Sequence, residues 1–255
     1  MRALITGAAT GIGAATVDKL KALGYEVVAL DIAESVNADQ WISVDMSNPE
    51  SIREASNQLS GSFDCLINNA GLPPRKGLEG VILSVNYLGL VQLTNTVVPM
   101  LKPGSAIVNT ASRAGAAWRD NIEQVKALMA LGCPAELEVF IERYEIEHIR
   151  AYSLSKEALI VWSMAQTEKL IGLNLRMNTV SPAAVSTGIL QDFEEAFGER
   201  MARNVERAGR PGMPEEIADV IVFLSTPASY WLKGNDLTVD GGMSAMAQVD
   251  SLGLE

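Results

Sequence analysis

Short runs of aliphatic and β-branched residues alternate along the chain with longer stretches of helical period, the pattern of a parallel sheet covered by helices. Residues 2–6 (RALIT) open it, a glycine-rich turn runs from Gly7 to Gly13, and Ala14–Leu23 reads as a helix ended by Gly24. Strands are expected at 26–31 (EVVALD) and 41–44 (WISV), then a helix from Pro49 to Leu59. The runs DCLIN (64–68) and AIVNT (106–110) are continuously apolar, as in strands covered on both faces, and Leu83–Leu101 between them has the length of a long helix. MNTVS (177–181) and DLTVD (236–240) bring the strands to seven. Glycine and proline are spread among the connections, with no internal repeat and no linker-like stretch. The pattern therefore predicts one α/β doubly wound domain over residues 1–255.

Two stretches break the rhythm. Residues 114–150 hold two helices' worth of sequence, expected at Asn121–Gly132 and Ala135–Arg150, with Pro134 where the second would start. Val125, Leu128, Met129 and Leu131 give the first an apolar side, and Leu137, Phe140, Ile141, Tyr144 and Ile149 give one to the second. Residues 183–213 form a long connection after a strand, with two phenylalanines and several charges. Ligands in such sheets bind at the carboxyl edge, so a long loop there reads as a lid; the plain alternative for both stretches is surface decoration.

Composition removes several classes of function. With 31 acidic against 20 basic side chains and a net charge of −11, the chain lacks the basic surface of a sequence-independent nucleic-acid binder or a polybasic membrane anchor. A single histidine, His148, excludes any site needing two imidazoles. Cys65 and Cys133 form no CxxC pair, so neither a thiolate metal centre nor a disulfide scaffold is expected, and no metal is assigned. There is no unbroken apolar run of membrane-spanning length and no secretory signal, so the expected location is cytoplasmic.

The first strand leads into Thr6-Gly7-Ala8-Ala9-Thr10-Gly11-Ile12-Gly13 and then a helix. Glycines there let the backbone turn sharply and approach a pyrophosphate, and the helix N-terminus offers free N–H groups and positive dipole. Asp31 closes the second strand, where a carboxylate can accept from both ribose hydroxyls of the adenosine half of NAD or simply end the strand. It would repel a 2′-phosphate, and no Arg or Lys lies in residues 8–16 to offset this, so NAD is favoured over NADP. Asp45, with Met46 beside it, ends the third strand; its carboxylate either accepts from the adenine amino group or caps the turn before Ser47 and Pro49. Asn69-Ala70-Gly71 follows the fourth strand, where small residues let a flat adenosine pass close to the backbone.

Tyr152-Ser153-Leu154-Ser155-Lys156 places a phenol and an ammonium at i and i+4, on one face of a helix. A tyrosine of ordinary pKa is a poor base near neutrality; a lysine cation and an oxidised nicotinamide nearby would stabilise its phenolate.

TGAATGIG, NNAG at 68–71, Asn86 inside SVNYLG, Ser112 after the fifth strand, YSLSK and Pro182 together resemble the short-chain dehydrogenase/reductase (SDR) family, as does the terminal RPGMPEEIADVIVFLSTPASYWLKGNDLTVDGG. The resemblance covers nearly the whole chain. It implies a Rossmann-like domain with a seven-stranded parallel sheet and NAD(P)-dependent hydride transfer to a carbonyl or from an alcohol. It also implies Tyr152 as general acid/base and Ser112 as the hydroxyl holding the reacting oxygen. Lys156 would lower the Tyr152 pKa and bind the nicotinamide ribose, Asn86 would hold a water linking Lys156 to solvent, and Thr187 with the Val185 backbone would bind the nicotinamide amide. Glycine usually follows the proline in this family; here Ala183 does, which bears on the local backbone path. His148 has no part in the motif.

The 114–150 helical insert resembles that of the bacterial 3α-hydroxysteroid dehydrogenase/carbonyl reductase branch. That likeness implies a hydrophobic secondary alcohol or ketone, cyclic or steroidal, as the small-molecule partner. The insert either roofs the substrate cleft or alters subunit packing, and a homodimer is expected because exposed apolar faces on it would need burial. The competing readings are an NAD-binding redox sensor without catalysis, which would be expected to lose the tyrosine or the lysine, and an SDR enzyme acting on a small non-steroid alcohol such as a terpenol or sugar derivative.

Overall fold

A computed structural model of the chain describes residues 1–131 and 135–254. In chain order the main elements are β1 (Arg2–Thr6), α1 (Gly11–Ala22), β2 (Glu26–Asp31), β3 (Gln40–Ser43), α2 (Pro49–Asn57), β4 (Phe63–Asn68), α3 (Glu79–Leu83), α4 (Leu90–Val97) and β5 (Leu101–Thr110). There follow α5 (Ile122–Met129), α6 (Ala135–Arg143), α7 (His148–Ala165), α8 (Thr167–Gly172), β6 (Arg176–Pro182), α9 (Leu190–Ala208), α10 (Pro214–Ser225), β7 (Asp236–Val239) and α11 (Met243–Leu252).

The seven strands form one sheet in the order β3-β2-β1-β4-β5-β6-β7, every pairing parallel. This is the doubly wound Rossmann-like arrangement the sequence pattern predicts. The strand order reverses between β1 and β4, so the loops leaving these two strands diverge and open a crevice at the carboxyl edge. Register aligns the strand ends there: Thr6 pairs with Leu30 and Asn68, and Asn68 with Asn109.

One face of the sheet packs Leu4, Val28, Leu66 and Ile107 under α2, α4 and α7, and the other packs Ile5, Val27, Ile67 and Val108 under α1 and α10. Several buried polar side chains are paired across elements. Asn68 Nδ2 donates to Thr94 Oγ1 (2.9 Å) and Asn109 Oδ1 (2.8 Å), and Asn109 Nδ2 donates to Ser163 Oγ (2.8 Å). This chain of amides and hydroxyls pins β4, β5, α4 and α7 together just beneath the crevice.

Three expected elements differ in detail. The Leu83–Leu101 helix is broken: a π-helical turn over Ser84–Gly89 separates α3 from α4, and a 3₁₀ turn at Val98–Met100 ends the run where Pro99 removes an N–H. The stretch Glu79–Met100 is long and apolar enough to cross a membrane by length and composition, yet 56% of its most apolar window is buried inside the protein. β5 begins at Leu101 rather than residue 106, with an irregularity in its pairing to β4 between Phe63 and Cys65. Between Ser112 and Tyr152 lie two helices, α5 and α6, but α6 ends at Arg143 and not Arg150. Glu145 adopts φ +48°, the left-handed region, which turns the chain and leaves His148, Ile149 and Arg150 to start α7. Gly132 and Pro134, expected to end one helix and begin the next, lie outside the described residues.

Most of the apolar surface of α5 and α6 is spent within the chain. Val125, Leu128, Leu137 and Phe140 are buried and join the main core cluster. The expectation that this segment leaves apolar faces exposed is therefore corrected for these side chains, which pack on α7 and α3, while Val139 of α6 stays exposed.

Candidate active site

One large cavity of about 990 Å³ runs along the carboxyl edge, from the glycine turn after β1 to α9 and α11. Its first half is shaped by backbone contact that tolerates no side chain. A Cβ on Gly7, whose φ is +64°, would lie 2.6 Å from Ala70 Cα, and one on Gly13 would lie 1.8 Å from the Gly7 carbonyl oxygen. Helix α1 is thereby drawn against the turn, its first N–H groups facing the cavity end lined by Thr10, Gly11 and Ile12. Thr6 Oγ1 accepts from the N–H groups of Asn69 and Ala70 (3.0 Å each), and Asn69 Nδ2 donates to Gly7 O (2.9 Å), so the loops after β1 and β4 brace each other. Thr6 was not singled out by sequence, although a hydroxyl at the end of the first strand faces the fourth wherever the order reverses between them.

Asp31 reaches the same cavity. Its two oxygens accept from the N–H groups of Ala9 (2.9 Å) and Ala33 (3.0 Å), tying the glycine turn to the end of β2. A carboxylate offers about four acceptor positions, so two remain for ribose hydroxyls. Asp45 and Met46 also line this half. Asp45 Oδ1 accepts from the Ser47 N–H (2.8 Å) and hydroxyl (2.7 Å), while Asn48, not Asp45, caps α2. With its glycine cradle, helix N-terminus and carboxylate, this half fits an adenine dinucleotide.

The second half brings Ser112, Tyr152, Lys156 and Asn86 together. Lys156 Nζ donates to Thr110 O (2.8 Å) at the end of β5 and lies 5.8 Å from the centre of the Tyr152 ring. Gly71 separates it from Asn86: a Cβ there would touch Lys156 Nζ and Asn86 Oδ1 at 3.4 Å each. Burial holds the lysine pKa down at about 8 and pushes the Tyr152 phenol up to about 12, with the Ser112 hydroxyl opposing the second shift. In the free protein the pair thus favours neutral phenol and readily neutralised amine. Added positive charge beside the ring would reverse the tyrosine's preference.

Asn86 sits in the π turn, fully buried. Its Oδ1 accepts from the Leu72 N–H (2.7 Å), and its Nδ2 donates to Leu72 O (3.0 Å) and Ser155 Oγ (3.3 Å). The amide is thus committed to fixing the loop after β4 against the tyrosine helix. Pro182, Val185 and Thr187 line the wall opposite. Ala183 needs no left-handed backbone, since Glu145 and Asn174 are the described non-glycine residues with positive φ. Beyond it Val185 bridges to Gly212, with Ser186 N donating to Gly212 O (2.8 Å).

Several contributors escaped the sequence reading. Phe193 and Phe197 of α9 pack edge-on against Tyr152, ring centres 5.2 and 6.5 Å away, and cover it. Arg75, after β4, closes a two-pronged ion pair with Asp192 on α9 (2.8 and 2.9 Å). Met243, Ser244, Ala247 and Gln248 of α11 form the far wall. Beneath the site, the buried Glu157 accepts two bonds from Arg150 (2.9 and 2.7 Å) and one from Asn121 (2.9 Å), tying the approach to α5 to the residue after Lys156. The aromatic pair alone carried a signal, as two phenylalanines in an otherwise charged loop.

Comparison with known proteins decides the family. A protein named coniferyl-alcohol dehydrogenase from Pseudomonas sp. is 35% identical over 245 residues, spanning 95% of this chain and 96% of its own length. The chain belongs to the short-chain dehydrogenase family. The short chain dehydrogenase profile matches residues 1–122, and a profile described as enoyl-(acyl carrier protein) reductase matches residues 136–244. A 3-alpha-hydroxysteroid dehydrogenase/carbonyl reductase of Comamonas testosteroni is 32% identical over 251 residues, covering 95% of this chain and 96% of that protein. The solved 3-alpha-hydroxysteroid dehydrogenase of Pseudomonas sp. B-0831, complexed with NADH, superposes with a TM-score of 0.86 at 29% identity, over 98% of this chain and 99% of that one. This short-chain dehydrogenase is accordingly an oxidoreductase of the alcohol–carbonyl type that works with a nicotinamide dinucleotide.

Proposed function

We propose that the protein is an NAD-dependent dehydrogenase/reductase interconverting a hydrophobic secondary alcohol, cyclic or steroidal, and its ketone, with Tyr152 as general acid/base. The observation that carries this reading is a buried phenol and a buried ammonium 5.8 Å apart, in a cavity continuous with a glycine cradle for a dinucleotide. Apolar side chains around the phenol, Phe193 and Phe197 among them, support a hydrophobic substrate. Asp31 supports NAD over its 2′-phosphorylated form, because a second anion beside a carboxylate already holding two N–H groups would be repelled. The names of the steroid and coniferyl alcohol relatives agree with a bulky alcohol.

What the bound dinucleotide supplies is a two-electron hydride acceptor or donor and, when oxidised, positive charge. Gly7, Thr10, Gly11, Ile12 and Gly13 would hold its pyrophosphate, Asp31 its adenosine ribose, and Thr187 with Val185 its amide. In oxidation Tyr152 phenolate accepts the substrate hydroxyl proton while Ser112 keeps the oxygen in place. The Lys156 ammonium stabilises the phenolate, and Asn86 fixes the loop that closes around both. In reduction Tyr152 returns the proton. A redox sensor without catalysis has no need of this phenol–ammonium pair.

Replacing Tyr152 with Phe tests the assignment. Turnover of a panel of cyclic alcohols should fall by about three orders of magnitude or more, while NADH fluorescence titration stays near wild type. Retained turnover would refute it. We also place the enzyme in the cytoplasm as a homodimer. Self-association finds support in exposed Ile171, Leu173, Phe223, Tyr230 and Trp231, the last 89% exposed, and sedimentation velocity checks it.

A further inference from the structure

The substrate end of the cavity mixes apolar side chains with Asn204, Ser244 and Gln248, and one charged group there stands apart. Arg200, exposed at the mouth, lines this end from α9, three residues past Phe197 and across the kink at Gly198. Among the described residues it forms no ion pair and no hydrogen bond, in a chain that carries 31 carboxylates. Arg113, next to Ser112, lines the same region; its Nε donates to Ser244 Oγ (3.0 Å) and stands 3.7 Å from Asp240. Asp240 is itself engaged, accepting from the N–H groups of Gly242 (3.0 Å) and Ser244 (2.7 Å). Arg200 is near enough that its charge helps lower the Arg113 pKa, below the main effect of burial. Asp240 therefore answers Arg113 alone, and Arg200 adds an unanswered positive charge to the part of the wall that also holds Met201, Met243 and Ala247. The remaining acids on the cavity wall lie elsewhere: Asp31 and Asp45 at the adenosine half, and Glu157 on Arg150.

We propose that this alcohol or ketone substrate bears a carboxylate remote from its reacting carbon, and that Arg200, backed by Arg113, receives it. The inference rests on the oxidoreductase reading and adds to it an amphipathic substrate: carbonyl at Tyr152, apolar body along the phenylalanines, anion at the lip. A guanidinium matches a carboxylate with two parallel donors, a geometry that an ammonium or an amide does not reproduce.

The test uses ketone pairs differing only in a remote carboxylate or its methyl ester, on a cyclohexanone and on a 3-ketosteroid skeleton. Wild-type enzyme should favour the acid in kcat/KM by about 10- to 100-fold on at least one skeleton, a preference that falls as salt rises. Arg200→Gln should lower kcat/KM for the acid far more than for the ester, and Arg200→Lys should restore part of the loss. The same pairs, titrated against the NADH complex of the Tyr152→Phe variant by fluorescence, give the preference independently of turnover. Equal handling of acid and ester on both skeletons, or an Arg200→Gln loss common to both, overturns the proposal. Arg200-dependent binding of the acids without turnover of any ketone would instead uphold the anion site and sink the dehydrogenase reading.

Discussion

Replacing Lys156 with Met keeps an apolar stem of similar length and removes the charge beside Tyr152. The ammonium lies 5.8 Å from the phenol ring centre. At an effective dielectric of about 20, opposite unit charges at that separation attract by ~3 kcal/mol. That corresponds to about two pK units, or a factor of ~100 in phenolate population. The effect has its own pH dependence, because burial lowers the lysine pKa to about 8. Below that value wild type carries the charge and the variant does not; above it wild type loses the charge too and the two converge. Initial rates of alcohol oxidation across about pH 6–10, with cofactor affinity measured alongside, should show a deficit of ~100-fold near pH 7 that narrows toward the alkaline end. Superimposable profiles would refute the electrostatic role, and so would a deficit accounted for by weakened cofactor binding alone.

The same variant should be more stable without ligand. A lysine whose folded pKa is lowered from 10.5 to about 8 binds fewer protons folded than unfolded between those values, so its penalty is full below about pH 8 and disappears above 10.5. Urea unfolding of Lys156→Met near pH 7 should therefore show a gain of about 3 kcal/mol, vanishing toward pH 10.5. Gly13→Ala should drive a Cβ into the Gly7 carbonyl and cost at least ~100-fold in NADH affinity, whereas Gly172→Ala, with open space around it, should leave fluorescence titration intact. Glu157→Gln, which takes the charge from the partner of Arg150, should destabilise by about 2–4 kcal/mol in denaturant; a change below about 0.5 kcal/mol would show the network to be inert.

The five inner strands were legible because each holds a short, mostly aliphatic or β-branched run buried along most of its length. The edge strands β3 and β7, though largely exposed, were legible from their short β-branched or aromatic runs. The glycine turn, Asp31 and the Tyr152–Lys156 pair were legible because their spacing is local. The break in the long helix was not. Residues 84–89 (SVNYLG) carry no proline or charge to mark the π turn, and the extra backbone residue changes which side chains face inward without changing composition. The early end of α6 hides for a related reason, since a four-residue turn with Glu145 in the left-handed region is all that separates it from α7. Thr6, Arg75, Asp192 and α11 act through contacts between distant parts of the chain, and nothing in their immediate sequence declares the partner. Arg113 and Ser244 meet across 131 positions.

The two phenylalanines of α9 join access to acidity. Because their rings rest on Tyr152, the helix that walls the cavity is also part of what dries the phenol and holds its pKa high. Moving α9 off the ring would hydrate it and let its pKa fall toward that of a free tyrosine. A substitution that merely loosens α9, such as breaking Arg75 from Asp192, should therefore register as a displaced pH optimum as well as an altered KM.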